Sequence, residues 1–180
     1  MIQFNDNSSI TSGTVMLWSW DFSDGNFSSA QSPPYFFGTY GSFNVELKVV
    51  SDSGCTDSIT KPVIIYPKPS AAFATQNVCD YETAVFNNTS AVPTGGVTGW
   101  IWDFGDGSPT ATGSSVTHGY AAYGTYPVTL TITSDNGCLD TTTGSIVVNP
   151  SPLTDFSTAN VCRYNPATFT NLSTIPTGSL

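Results

Sequence analysis

The stretch Trp102-Asp103-Phe104-Gly105-Asp106-Gly107 repeats, with one change, Trp20-Asp21-Phe22-Ser23-Asp24-Gly25, and the residues around it repeat as well. Trp20 meets Trp102 at an offset of 82, whereas Tyr40-Gly41 meets Tyr123-Gly124, Gly54-Cys55 meets Gly137-Cys138, and Pro67 and Pro69 meet Pro150 and Pro152 at 83. The offset of 83 also carries Phe73 onto Phe156, Asn77-Val78-Cys79 onto Asn160-Val161-Cys162, and Pro93-Thr94-Gly95 onto Pro176-Thr177-Gly178. The 180 residues therefore hold a little over two copies. A solenoid coil has a period of roughly 20 to 50 residues; this longer one matches a small self-standing domain.

The register of the copies matters. Phe4-Asn5-Asp6-Asn7-Ser8 corresponds to Phe86-Asn87-Asn88-Thr89-Ser90, so the first copy starts without what residues 70–82 supply to the second. The predicted organisation is a domain over 1–68 lacking its first strand, a complete domain over 69–151, and the opening strands of a third over 152–180. Such opening strands cannot bury a core alone. Either the chain is a piece of a longer one, or ends from different molecules complete each other.

Thr125 to Thr133 places Tyr126, Val128, Leu130 and Ile132 on one face and threonines opposite, the period-2 pattern of a half-buried strand. Phe43, Val45, Leu47 and Val49 form the counterpart. Turns at Ser51-Asp52-Ser53-Gly54 and Ser134-Asp135-Asn136-Gly137 lead into strands ending in Val63-Ile64-Ile65 and Ile146-Val147-Val148. Ala71 to Thr75, Thr83 to Asn88, Trp100 to Phe104 and Ser115 to His118 complete at least six short strands, and no stretch reads as a helix. Pro127 cannot donate to a ladder, so an edge or a bulge is expected there. The fold class is all-β, a run of two-sheet sandwiches with Trp20, Phe22, Trp102 and Phe104 in their cores.

Charge narrows the partners. Only 9% of residues are charged and the net charge is −9, with four scattered cations, Lys48, Lys61, Lys68 and Arg163. No basic stripe exists to neutralise phosphates, which argues against nucleic acid. No apolar run approaches the roughly 18 residues of a membrane span, which argues against insertion. Met1 opens no charged-then-apolar leader, so an export signal is expected elsewhere in the gene.

The Trp-Asp-Phe-Gly-Asp-Gly motif, followed by His118-x-Tyr120, Tyr123-Gly124-x-Tyr126 and an alternating Val/Thr/Leu strand, resembles the PKD domain, an immunoglobulin-like sandwich. The Gly-Cys after that strand and the Pro-x-Pro linker are similar to tandem PKD arrays of large bacterial surface proteins and adhesins. The resemblance covers essentially the whole chain. The first copy departs from it at Ser23, which replaces the first glycine, and at Tyr35 and Phe37, which stand where His118 and Tyr120 do.

Two readings of the motif compete. Asp21 with Asp24, and Asp103 with Asp106, are spaced so that a strand end could bring both carboxylates to one cation such as Ca²⁺. Alternatively the aspartates bind backbone amides and hold a turn, with Gly25 and Gly107 in conformations that other residues resist. The second reading is favoured, because a Ca²⁺ site needs further oxygen ligands that the sequence does not announce. His118 is the only histidine and is Tyr35 in the other copy, so packing or hydrogen bonding suits it better than catalysis. With no C-x-x-C and no strained Gly-x-Ser-x-Gly elbow, no enzyme is expected.

Sandwich topology puts Cys79 and Cys162 in the loop after the first strand, at the carboxyl pole, and Cys55 and Cys138 in the last hairpin, at the amino pole. The roughly 7 Å Cα limit of a disulfide disfavours every pairing within one chain. In a head-to-tail array the pairing that works joins neighbouring repeats, with unpaired thiols as the alternative. The tail of one molecule, residues 153–164, carries the sequence of the strand that the first domain lacks, so strand addition into another copy is a further option.

Sequons begin at Asn7, Asn26, Asn87, Asn88 and Asn171, where chance matches are frequent in so Asn- and Ser-rich a chain, and Asp57-Ser58-Ile59 and Asp140-Thr141-Thr142 resemble a bacterial O-glycosylation acceptor, for which strand-entry polarity is the favoured reading. The function expected is a non-enzymatic spacer or shaft of a secreted or surface-exposed protein, with no cofactor, whose partners are neighbouring PKD-like domains of the same longer chain or of other copies. The competing classes are a recognition module, binding a surface glycan or protein through Trp18 or Trp100, and an accessory domain of a secreted hydrolase.

Overall fold

β-branched and aromatic residues alternating with Thr, Ser and Asn favour pleated, half-buried strands, and the computed structural model is built from strands and turns alone among the described residues, 1–176. Thr177-Gly178 of the third repeat lies outside them. The chain divides into two compact units, Met1–Pro67 and Lys68–Leu180. It is a tandem β-sandwich protein.

In the first unit β1 (Ile2–Gln3), β2 (Val15–Asp21), β3 (Phe27–Ser28), β4 (Pro34–Tyr35), β5 (Gly41–Ser51) and β6 (Thr56–Ile65) form two sheets. One runs β3-β2-β5-β6 and the other pairs β1 with β4. Their inner faces bury Trp20, Phe22, Phe37, Val45 and Leu47.

The second unit continues with β7 (Phe73–Ala74), β8 (Val78–Cys79), β9 (Thr83–Asn88), β10 (Val97–Asp103), β11 (Ser115–Gly119), β12 (Gly124–Ser134) and β13 (Leu139–Asn149). A sheet β10-β12-β13-β8 faces a sheet β11-β9-β7. Val128, Leu130 and Ile132 point inward from β12 as the alternation requires, against Ala84 and Phe86 of β9, with Trp102, Phe104, Tyr120, Ile146 and Val148 completing the core. Each such large side chain contributes about 1.5–3 kcal/mol of burial, and a domain this small needs many of them.

Pro127 lies on β12 past the end of its β10 neighbour: the last pair with β10 is Asp103 opposite Thr129, so opposite Ser145 only β13 remains and the position is a local edge. Cys79 lies in a short strand rather than a loop. β8 adds parallel to the end of β13, with Cys79 opposite Asn149, and two residues are too few for alternation to reveal.

By the offset of 82, β1 corresponds to β9, so the first unit lacks counterparts of both β7 and β8. The consequence is local. In the second unit Phe73 of β7 lies against Trp102, ring centroids 5.4 Å apart, and over Gly144, where an added Cβ would come within 2.8 Å of the Phe73 ring. Trp102 is 0% exposed there, whereas Trp20 keeps 6%. The first unit instead has a groove of about 660 Å³, lined by Phe4, Trp20, Leu47, Ile59 and Val63 among others.

The third repeat supplies β14 (Phe156–Thr158) and β15 (Phe169–Asn171), an antiparallel hairpin whose strand residues are all exposed. Phe156 is 63% and Phe169 69% exposed.

Candidate functional site

Strand alternation drives the motif's aromatics inward and leaves its aspartates where the strand ends. Asp21 Oδ1 accepts the Ser23 N–H at 2.8 Å and Asp103 Oδ1 the Gly105 N–H at 2.9 Å. Three residues on, Asp24 Oδ1 accepts the Asn26 N–H at 3.1 Å and Asp106 Oδ1 the Ser108 N–H at 3.0 Å. These are aspartate turns, in which the side chain caps the backbone two residues ahead. Ser23 and Gly105 both adopt left-handed backbone, φ 60° and 72°, so the substitution in the first copy leaves the turn intact. Only Gly105 needs to be glycine for space, because a Cβ there would stand 2.1 Å from the Pro127 carbonyl oxygen. The first unit has Asn44 at that position, and its carbonyl accepts a hydrogen bond from Ser23 Oγ at 2.7 Å.

The second aspartate of each turn is closed from the other side by a ring. His118 Nε2 lies 2.7 Å from Asp106 Oδ2, and the Tyr35 hydroxyl donates to Asp24 Oδ2 at the same 2.7 Å. Each ring stacks flat on the motif phenylalanine: His118 on Phe104 at 4.0 Å and 2°, Tyr35 on Phe22 at 3.6 Å and 5°. Partial burial would raise the Asp106 carboxyl, but hydrogen bonds from Ser108 and His118 outweigh it and bring the group down to about 2. The hydrogen bond from Tyr35 holds Asp24 below the ordinary carboxylate range. Tyr120, buried beside this site, donates to the Phe104 carbonyl at 3.2 Å, and burial pushes its hydroxyl up to about 12.

Asp21, Asp24, Asp103 and Asp106 thus turn their oxygens onto their own turn and, for Asp24 and Asp106, onto a ring. Among the described residues no group of three or more His, Cys, Asp or Glu side chains converges. The turn-holding geometry is the one observed.

Trp18 and Trp100 are both half-buried and pack against the cores of their units. The Trp18 Nε1–H donates to Asp6 Oδ2 at 2.7 Å. Although burial alone would raise it, hydrogen bonds from Ser8, Trp18 and Gln31 keep the Asp6 carboxyl low. Trp100 Nε1 is buried with no hydrogen-bond partner. At the position of Asp6 the second unit carries Asn88, whose side-chain carbonyl accepts the Ser90 N–H at 3.1 Å and whose amide nitrogen cannot accept.

The four cysteines are free. Cys79 sits beside Asn149 at one end of β13 and Cys138 just before its other end, about 33 Å away at the rise of a strand. No disulfide can span that.

Sequence reasoning missed a second latch. The Asp135 N–H donates to the Gly96 carbonyl at 2.9 Å while its carboxylate accepts the Gly96 N–H at 3.2 Å, and Asp52 does the same with Thr14 at 3.0 and 3.1 Å. The repeated Ser-Asp that follows each central strand was its signal. Asp140, noted only as a glycosylation candidate, anchors the start of the second unit. It pairs with Lys68 at 2.7 Å and accepts the Ala71 N–H at 2.8 Å.

Such units, two facing sheets, antiparallel but for β8, with an aspartate turn closed by a stacked ring, define the class of immunoglobulin-like β-sandwich modules. The chain belongs to the PKD domain family, whose model matches residues 1–65 and again 66–148. A microbial collagenase of Vibrio alginolyticus is 36% identical over 69 residues, which is 38% of this chain and 8% of that protein. The pre-pro-metalloprotease PrtV of Vibrio cholerae is 42% identical over 62 residues, 34% of this chain and 7% of that protein. The chain therefore spans less than a tenth of the length of these relatives. Among solved structures, the PKD1 domain of Vibrio anguillarum Epp is 28% identical, covered in full by 48% of this chain, with a TM-score of 0.45.

Proposed function

We propose that this chain is a non-catalytic accessory segment of an extracellular or surface-exposed protein, a run of sandwiches that spaces or carries other domains and supports adhesion or a shaft. The observation that carries this reading is the interchange of Tyr35 and His118. The same turn is closed at the same 2.7 Å by a phenol in one unit and an imidazole in the next, which suits a folding device and not an acid–base group. Relatives among Vibrio proteases support an accessory role, since in each the similar segment is under a tenth of the protein.

The half-burial of Trp18 and Trp100 favours the spacer over a recognition module that uses them, because an aromatic platform for a sugar or peptide has to present its ring face. Replacing residues 1–151 in the full-length protein by two unrelated sandwich domains of equal length tests the reading. Retained surface function with normal display is the outcome expected of a spacer. Lost function with normal display would show a recognition role instead.

A further inference from the structure

A sheet edge with unpaired N–H and C=O groups takes another strand unless it is short, kinked, charged or interrupted by proline. Most edges of this chain are blunted in one of these ways. β6 carries Lys61 and Pro62, β2 and β10 each have a register shift, and β7 and β8 are two residues long. β13 is flanked where Asn77 Oδ1 accepts the Val147 N–H and where Phe73 lies over Gly144. β11 is different. It is five residues, Ser115-Val116-Thr117-His118-Gly119, with no proline, lysine or bulge, and it stands at the end of the sheet β11-β9-β7.

An antiparallel ladder alternates hydrogen-bonded and open pairs, and the Asn88 N–H donates to the Ser114 carbonyl at 2.9 Å. By that alternation Val116 and His118 turn their backbone groups to Phe86 and Ala84, while Ser115, Thr117 and Gly119 turn theirs away from β9. Among the described residues no turn or loop backbone bonds these outward groups. The first unit carries a closed version of the same edge. There the Phe4 N–H donates to the Pro33 carbonyl at 3.0 Å and Gln3 pairs with Pro34. Pro34 thus holds the outward position that Thr117 holds by the offset of 83, and it has no N–H to offer.

We propose that β11 pairs with β11 of a second copy across a two-fold axis at Thr117, which extends β7-β9-β11 into one sheet through both molecules. The edge is its own complement. With the two strands antiparallel about Thr117, Thr117 meets Thr117 and Ser115 meets Gly119, and each of these pairs exchanges two N–H···O=C bonds. On the exposed face Ser115 and Thr117, with their β9 neighbours Asn87 and Val85, carry no charge. A chain of net charge −9 therefore meets its copy there without like charges opposed. The contact is isologous, so it closes at a dimer. Five residues a side bury little area, which makes the dimer weak and reversible. It is independent of any accessory role.

Sedimentation velocity of the 180-residue chain under reducing conditions, from micromolar to millimolar concentration, tests this. A monomer–dimer equilibrium is expected, and Thr117→Pro should weaken it at least about tenfold. That variant copies Pro34 and removes an N–H that β9 does not use, so the unit folds, and far-UV circular dichroism checks this. Thr117→Lys should weaken the dimer as well, by placing two ammonium groups opposite each other across the axis. Thr141→Lys, exposed on the other sheet, should not. In the wild-type chain the Thr117 amide should exchange more slowly as concentration rises. A chain monomeric throughout, a dimer indifferent to both Thr117 variants, equal losses from Thr117→Lys and Thr141→Lys, or growth beyond a dimer would each overturn the proposal.

Discussion

The Tyr35 hydroxyl and the His118 Nε2 atom each stand 2.7 Å from the second aspartate of their own turn, and each ring lies flat on the motif phenylalanine. Ring plane and polar edge are kept while the chemistry changes. His118→Tyr is therefore expected to keep the second unit within about 1 kcal/mol of its stability, since the new hydroxyl can reach Asp106 as Tyr35 reaches Asp24. His118→Ala removes the stack and the hydrogen bond together and should cost about 2–3 kcal/mol. Hydrogen exchange at the β12 amides reads this unit alone. A Tyr variant as unstable as the Ala variant would refute the equivalence.

The same pair fixes an acid limb. Asp106 titrates from about 2 in the folded chain against an ordinary 3.8, so its folded-state value is depressed. The stabilisation is then complete above the unfolded value and fades as pH falls through 3.8 towards 2. Allowing for solvent screening, it amounts to about 1–2 kcal/mol. Asp106→Asn should lack this limb, so urea titrations of the two proteins, well apart at neutral pH, should converge in acid. Equal separation at both ends would contradict the assignment.

Gly105 and Ser23 occupy one turn position but should answer differently to substitution. Gly105→Ala adds a Cβ 2.1 Å from the Pro127 carbonyl in left-handed backbone, and a loss of at least about 2 kcal/mol is expected. Ser23→Gly relieves a left-handed φ of 60° but loses the bond from Ser23 Oγ to the Asn44 carbonyl. These effects nearly cancel, at about 1 kcal/mol each. Thermal unfolding of both variants checks the contrast.

The cysteines give a covalent test of strand placement. Air oxidation of the chain followed by peptide mapping without reduction should find no link between Cys79 and Cys138 of one molecule, which lie about 33 Å apart along β13. Finding that link would overturn the register of β8 on β13.

Elements that bury one face over many residues were legible from sequence, because alternation at Val128, Leu130 and Ile132 has a period and the repeat doubles every signal. The two-residue β8 has no period, and Pro127 depends on where a neighbouring strand stops, which no local pattern encodes. The aspartate turns could be read from Asp and Gly alone. Their closure by His118 and Tyr35 could not, because it joins β11 or β4 to a turn 11–12 residues earlier, and the two rings share shape rather than residue type.

Asp6 and Asn88 give the last test, since one atom separates a satisfied tryptophan from an orphan. Asp6 offers one oxygen to the Ser8 N–H at 2.8 Å and the other to Trp18 Nε1 at 2.7 Å. Asn88 has one side-chain oxygen, which accepts the Ser90 N–H at 3.1 Å, and a nitrogen that cannot accept, and Trp100 Nε1 is buried and unpaired. A buried donor without a partner loses about 1–3 kcal/mol relative to water. Asn88→Asp should recover about 1 kcal/mol of this by giving Trp100 the acceptor that Trp18 has. Asp6→Asn should orphan Trp18 and destabilise the first unit by a similar amount. Hydrogen exchange in β12 and β5 follows the units separately, and the indole N–H resonance of Trp100 should shift on forming its bond. If Asn88→Asp destabilises the second unit, the added charge outweighs the hydrogen bond, and the orphaned indole is the better of two imperfect arrangements.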